Sequence, residues 1–192
     1  MSDTAAGARV AVFFAPGLEE VEGLSVVDAL FRAKVPCDIV AVEPAHEVTS
    51  SHGIRIATDR SVCDEGFSFD DYSVLVLPGG IPGTPNLRTC QPLCDALVEF
   101  ARTGRTVAAI CAAPSVLAEL GILRGRRATA NPGFQDAVAQ GGATVEPDSP
   151  VVVDGNVVTS QGAGTALAFG IEIVRLVAGD EAAEHVREGV VL

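Results

Sequence analysis

Tryptophan is absent from this chain of 192 residues, and tyrosine occurs once. Platforms on which nucleic-acid bases could stack are therefore scarce. Positive charge is also sparse: 13 Lys and Arg face 25 Asp and Glu, for a formal net charge of −12. Phosphate-rich partners need clustered Lys and Arg, and only Arg124, Arg126 and Arg127 cluster, in a segment that reads as a turn. The balance argues against nucleic acid and against anionic membrane. No apolar run approaches the roughly 20 residues that span a bilayer. The stretch 1–8 is small and polar, without the charged-then-apolar pattern of an export signal, so a cytoplasmic location is expected. The five cysteines (Cys37, Cys63, Cys90, Cys94 and Cys111) are odd in number and share no spacing, which fits reduced thiols. Cys90 and Cys94 lie four apart, but Pro92 intervenes and no second ligand pair accompanies them, so no metal site is expected. His46 and His52 lie in polar, loop-like stretches and His185 in the last helix; no Cys-His dyad can be read from neighbouring residues, and a spatial one stays open.

Hydrophobic residues make up 48% of the chain, enough for one domain with a substantial core. A single domain over 1–192 is expected, with 1–8 flexible. Continuous apolar runs at Arg9 to Phe14, Cys37 to Val42, Ser73 to Leu77 and Thr106 to Ile110 read as buried strands. Helical spacing follows at Leu18 to Ala33, Pro92 to Arg102, Ser115 to Leu120, Gly164 to Ala178 and Asp180 to Glu188. Ile54 to Val62 alternates like a short hairpin. Val151 to Thr159 reads as a second hairpin around an Asp-Gly turn at Asp154-Gly155. Apolar strands alternating with helices predict an α/β fold with a mostly parallel sheet covered on both faces. Ligands bind such sheets at the carboxyl ends of strands.

Three motifs fall at those ends. Cys111 closes the run Thr106 to Ile110 just before a helix, where free N–H groups and the helix dipole favour thiolate. A small buried hydrophobe is the other reading of this cysteine. Glu19, Glu20 and Glu22 follow the first strand. Glu19 and Glu20 suit helix capping, whereas Glu22 borders the apolar face that contains Val21 and Leu24. A half-buried carboxyl keeps its proton longer than usual, so Glu22 could donate to a thiolate and later pass a proton. Pro78-Gly79-Gly80 ends a third strand, either as a plain tight turn or as a place where N–H groups of Gly79 and Gly80 face a ligand.

Four segments together, Ala15 to Glu22, Val76 to Gly80 with Asn86-Leu87, Ala108 to Pro114 and Thr159 to Thr165, resemble the ThiJ/PfpI superfamily in its DJ-one and YajL-like branch. The resemblance runs from about Arg9 to the C-terminus. It implies a flavodoxin-like three-layer sandwich with a C-terminal β-hairpin, a homodimer and no cofactor. It makes Cys111 the nucleophilic, oxidation-sensitive cysteine and Glu22 the glutamate that hydrogen-bonds its sulfur. Gly80 and Ala112 fall where backbone N–H groups hold a substrate oxygen or a sulfinate, and Arg32 falls near the family's dimer interface. Glu19, Asn131, Gly162 and Ala163 fall at the pocket or the interface. Asn131 stands where the best-known member has a histidine near the thiol, which puts any step through that imidazole in doubt. The protease-like branch carries His directly after the nucleophile; here that position is Ala112. The activity implied is glyoxalase or deglycase chemistry on reactive α-oxoaldehydes, with methylglyoxal converted to lactate. The alternatives are a non-enzymatic redox sensor or chaperone acting through sulfinic acid at Cys111, and amidase or hydratase work of the PfpI type.

Overall fold

The structure is a computed structural model that describes residues 8–192. The stretch expected to be flexible therefore lies outside the described residues, save its last position. Among the described residues eleven strands form: β1 (Val10–Phe14), β2 (Cys37–Ala41), β3 (Glu47–Thr49), β4 (Arg55–Ala57), β5 (Arg60–Ser61), β6 (Val74–Leu77), β7 (Thr106–Ile110), β8 (Arg127–Ala128), β9 (Thr144–Val145), β10 (Val151–Asp154) and β11 (Val157–Ser160). Seven helices accompany them: α1 (Glu20–Arg32), α2 (Gly83–Thr89), α3 (Gln91–Thr103), α4 (Pro114–Glu119), α5 (Gln135–Gln140), α6 (Ala166–Ala178) and α7 (Asp180–Gly189).

The central sheet has the order β10-β11-β7-β6-β1-β2-β5. Every neighbouring pair is parallel except the β10–β11 hairpin. The two faces of β1 show why the apolar runs are continuous. Val10, Val12 and Phe14 pack with Val26 and Leu30 of α1 and Phe169 and Ile173 of α6. Ala11 and Phe13 pack on the other side with Leu97 and Phe100 of α3 and Leu117 of α4. Each fully buried Phe or Leu contributes roughly 1.5–3 kcal/mol. This is the expected flavodoxin-like sandwich, with the expected C-terminal hairpin.

Three local readings are corrected. The first hairpin pairs β3 with β4, so its leading strand is Glu47–Thr49; Arg60–Ser61 instead joins the edge of the main sheet. Asp154 pairs with Val157, so the second hairpin turns on Gly155-Asn156 rather than Asp154-Gly155, with Gly155 at φ 61°. The long helix starts at Ala166, after a 3-10 turn over Ala163–Thr165.

The chain passes from β1 outward to β2, then returns to the other side of β1 for β6. This reversal opens a crevice at the carboxyl ends of β1 and β6, the usual ligand position in an open α/β sheet.

Candidate functional site

The crevice is built by three loops clasped through their backbones. Glu19 donates its N–H to Gly79 O at 3.0 Å, and Gly83 donates to Gly17 O at 3.0 Å. Gly80, at φ +96°, is pressed so closely against Gly17 to Glu19 that a Cβ would lie 2.6 Å from Gly17 O. Only glycine fits that approach.

Glu19 is the N-cap of α1: its Oε2 accepts the Glu22 N–H at 2.8 Å. Glu20 does not cap. Its two carboxylate oxygens lie 2.8 and 3.0 Å from His52 Nδ1. Glu19, Glu20 and His52 are the one group of three metal-type donors that converges among the described residues. The His52–Glu20 ion pair accounts for their convergence.

The first turn of α1 carries Glu22 inward, where it is 1% exposed. Its Oε2 accepts the Gly79 N–H at 2.8 Å. That amide is spent on Glu22, so Gly79 is not a free donor to a ligand, contrary to the expectation for it. Gly79 has a different role. A Cβ there would lie 2.7 Å from Cys111 Cβ and 2.8 Å from Glu22 Oε2, so its missing side chain lets the two groups meet.

Cys111 sits in the left-handed region at φ 65°. A non-glycine residue there is strained by about 1–2 kcal/mol. Bonds on both sides hold it: its N–H donates to Ser160 O at 3.0 Å, and its carbonyl accepts the Asn131 N–H at 2.9 Å. A strand that turns this sharply into a helix presents its side chain at the sheet end.

Burial raises the Glu22 carboxyl to about 7, against hydrogen bonds from Cys111 and Gly79 that favour its ionised form. Burial also pushes the Cys111 thiol up, and the charge and hydrogen bond of Glu22 add to this, to about 12. The backbone N–H groups of Ala112 and Gly80 act in the opposite sense. The expectation of a thiolate favoured outright by the helix is thus corrected. Helix α4 has only six residues, and burial beside the Glu22 carboxyl raises the thiol. Glu22 and Cys111 instead form a coupled pair that loses its first proton near neutrality.

Asn131 is a neighbour of this pair. Its Oδ1 accepts the Gly133 N–H at 3.1 Å, capping a 3-10 turn over Pro132–Phe134. A Cβ on Gly162 would lie 3.7 Å from Asn131 Nδ2 and 3.8 Å from Glu22 Oε1. Ala112 is buried beside the thiol, whereas Ala163 is exposed on the turn that follows Gly162. Arg32 lies elsewhere, in the last turn of α1, roughly 15 Å along the helix from Glu22. There it binds Asp28 Oδ2 at 2.7 Å and the Gly189 carbonyl at 3.4 Å. Sequence reasoning overlooked Ser160 and Thr165 as positioning groups. The Thr165 hydroxyl lies 2.7 Å from Ser160 Oγ and accepts the Gly162 N–H at 3.2 Å. The polar run at the end of β11 was the available signal. A cleft of about 440 Å³ among Phe67, Phe69 and Phe100 lies beside Arg105, which stacks on Phe100 at 3.7 Å and precedes β7, away from the thiol.

The DJ-1/PfpI family matches residues 8–176. Protein dj-1beta of Drosophila melanogaster is 34% identical over 181 residues, covering 94% of this chain and 95% of that protein. The crystal structure of Drosophila melanogaster DJ-1beta superposes with a TM-score of 0.89 at 32% identity, over 97% of this chain and 98% of that one. The structure of oxidized Toxoplasma gondii DJ-1 superposes with a TM-score of 0.87 at 29% identity, over 96% of this chain and 98% of that one. The match spans most of the chain and includes both strands and loops of the crevice, and the chain belongs to the DJ-1/PfpI family.

Proposed function

We propose that the chain is a cofactor-independent cysteine enzyme that isomerises and hydrates α-oxoaldehydes, with methylglyoxal as the model substrate and lactate as the product. The observation that carries this reading is the Glu22–Cys111 pair meeting across Gly79, with the Gly79 N–H holding the carboxyl. Cys111 passes its proton to Glu22 as sulfur bonds to the aldehyde carbon, giving a hemithioacetal. The N–H groups of Gly80 and Ala112 hold the developing oxyanion, which recovers the proton from Glu22. The freed carboxylate then takes the hydrogen of that carbon as a proton, the hydroxyl proton of the same carbon passes to the neighbouring carbonyl oxygen, and Glu22 returns its proton to the neighbouring carbon. The first carbon is oxidised and the second reduced, so no external oxidant enters. Water cleaves the resulting thioester, releasing lactate and the thiol. Lactate formation by the reduced chain, lost in Cys111→Ser, tests this reading. The same chemistry on glycated amines or thiols would constitute deglycase activity.

The assembly proposed is a homodimer, and the outward face of α1 supports it. Val21, Leu24 and Phe31, at helical spacing, are 47%, 38% and 79% exposed. Large apolar side chains in such a row mark an interaction face.

A second reading is favoured by the same N–H groups. Two equivalents of peroxide would convert the Cys111 thiol to sulfinic acid with release of two waters, and Gly80, Ala112 and a protonated Glu22 would hold its oxygens. The similar Toxoplasma gondii structure is of oxidized DJ-1. Mass spectrometry after mild peroxide tests it: two oxygens gained selectively at Cys111 support a sensor, and uniform oxidation of all five cysteines counts against one.

A further inference from the structure

We infer that the Asn131 carboxamide is the specificity-determining donor of this site, selecting aldehydes that carry an oxygen on the adjacent carbon over simple aldehydes. The inference rests on the aldehyde-processing reading of Cys111 and Glu22 and adds what that pair lacks, a means of recognising the second carbonyl.

Asn131 is held through its backbone and through its side-chain oxygen. Its backbone N–H donates to Cys111 O at 2.9 Å, which ties it to the nucleophile's own residue. Its Oδ1 accepts the Gly133 N–H at 3.1 Å, which fixes the amide so that oxygen faces the turn and Nδ2 faces away from it. Among the described residues, Nδ2 donates no hydrogen bond. The amide is thus an oriented donor with its hydrogens unspent.

The space before it is also defined. The point 3.7 Å from Asn131 Nδ2 and 3.8 Å from Glu22 Oε1 is where a side chain on Gly162 would begin, and the glycine leaves it empty. Thr165 pins that turn, accepting the Gly162 N–H at 3.2 Å. A small ligand between the two groups therefore meets a neutral donor on one side and the proton-carrying carboxyl on the other. An aldehyde alone satisfies the oxyanion N–H groups and leaves Nδ2 unused. A 2-oxoaldehyde brings a second oxygen on the neighbouring carbon, the carbon to which Glu22 returns the proton. A hydrogen bond from Nδ2 to that oxygen both orients the substrate and stabilises the charge that grows there during enolisation. An amide does not titrate near neutrality, so this donor remains available at every pH at which the Glu22–Cys111 pair is competent.

Two substitutions leave the fold's contacts in place. Asn131→Asp is isosteric and keeps both the acceptor for Gly133 and the backbone bond to Cys111, but replaces the donor with an acceptor. Gly162→Ala adds one methyl at ordinary contact distance from its neighbours and fills the space between the two groups. With methylglyoxal, each is expected to raise KM about tenfold or more, and Asn131→Asp to move the acid limb of kcat/KM to higher pH because its charge faces Glu22. Unchanged KM and pH profile in both variants, with native thermal stability, would overturn the inference. A readout without turnover separates this outcome from failure of the enzymatic reading. In ¹⁵N-labelled Cys111→Ser, methylglyoxal is expected to shift the Asn131 side-chain amide signals, and acetaldehyde at the same concentration to leave them in place. That pattern in a chain whose native form makes no lactate would refute the enzyme and keep the recognition. Equal shifts with both aldehydes, or none with either, would refute the recognition.

Discussion

Glu22 and Cys111 meet across Gly79, whose own N–H holds the carboxyl at 2.8 Å and whose missing side chain leaves room for the sulfur's carbon 2.7 Å from where a Cβ would stand. One glycine therefore both orients the acid and admits the nucleophile. The shared proton of that pair sets how reactivity depends on pH.

Above about pH 7 the pair has lost its first proton, and its second is held to about 12. Between those values the distribution of one charge over carboxyl and sulfur does not change with pH. Alkylation of Cys111 by iodoacetamide in the native chain is expected to level off between pH 7.5 and 9, on the order of the range ordinary thiols titrate in. In Glu22→Gln the sulfur titrates alone, and the rate is expected to keep rising with pH over the same interval. Rate constants measured by mass spectrometry on the Cys111 peptide check this.

The buried carboxyl also links stability to pH. Its folded value of about 7 lies above the ordinary 4.5, so between these values the folded chain binds more protons than the unfolded one. Stability should therefore fall as pH rises through this window and change little from this group above it. Glu22→Gln removes the penalty. It is expected to be more stable than the native chain at pH 8, by on the order of 2–3 kcal/mol, with the advantage shrinking towards pH 4.5. Urea denaturation at the two pH values gives the comparison.

Cys111 stands at φ 65°, where a Cβ is strained. Cys111→Gly is expected to be more stable than Cys111→Ala by about 1 kcal/mol, the reverse of the order found at an ordinary strand or helix position. Thermal unfolding of the two variants checks whether the elbow stores strain.

If the exposed row on α1 is a subunit contact, one charge within it should break the assembly. The native chain is expected to sediment at twice its monomer mass, and Leu24→Glu at the monomer mass with an unchanged circular dichroism spectrum. Analytical ultracentrifugation distinguishes the two states.

Much of this architecture is legible in the sequence because parallel strands are buried on both faces. Val10–Phe14 and Thr106–Ile110 announce themselves as unbroken apolar runs. Elements that depend on their partners are harder to read. Glu47–Thr49 offers one apolar residue and becomes a strand only by pairing with Arg55–Ala57. Gly83–Thr89 begins Gly-Thr-Pro and has no apolar period of its own. The same distinction holds in the site. The types of residue in Cys111 and Glu22 reveal their chemistry, and their positions after strands reveal their meeting place. Which way an amide points is set by tertiary contacts, so the sequence does not show that the Gly79 N–H is bound to Glu22 rather than open to a ligand. The apparent advantage of a helix N-terminus was likewise offset by burial, which local sequence does not report.

The most direct test of the account is to give the reduced native chain methylglyoxal and follow aldehyde loss and lactate formation together, with Cys111→Ser and Glu22→Gln alongside. The account predicts equal amounts of aldehyde consumed and lactate formed by the native chain, and loss of turnover in both variants. Lactate formation that persists in Cys111→Ser, or its absence from the native chain, would contradict it.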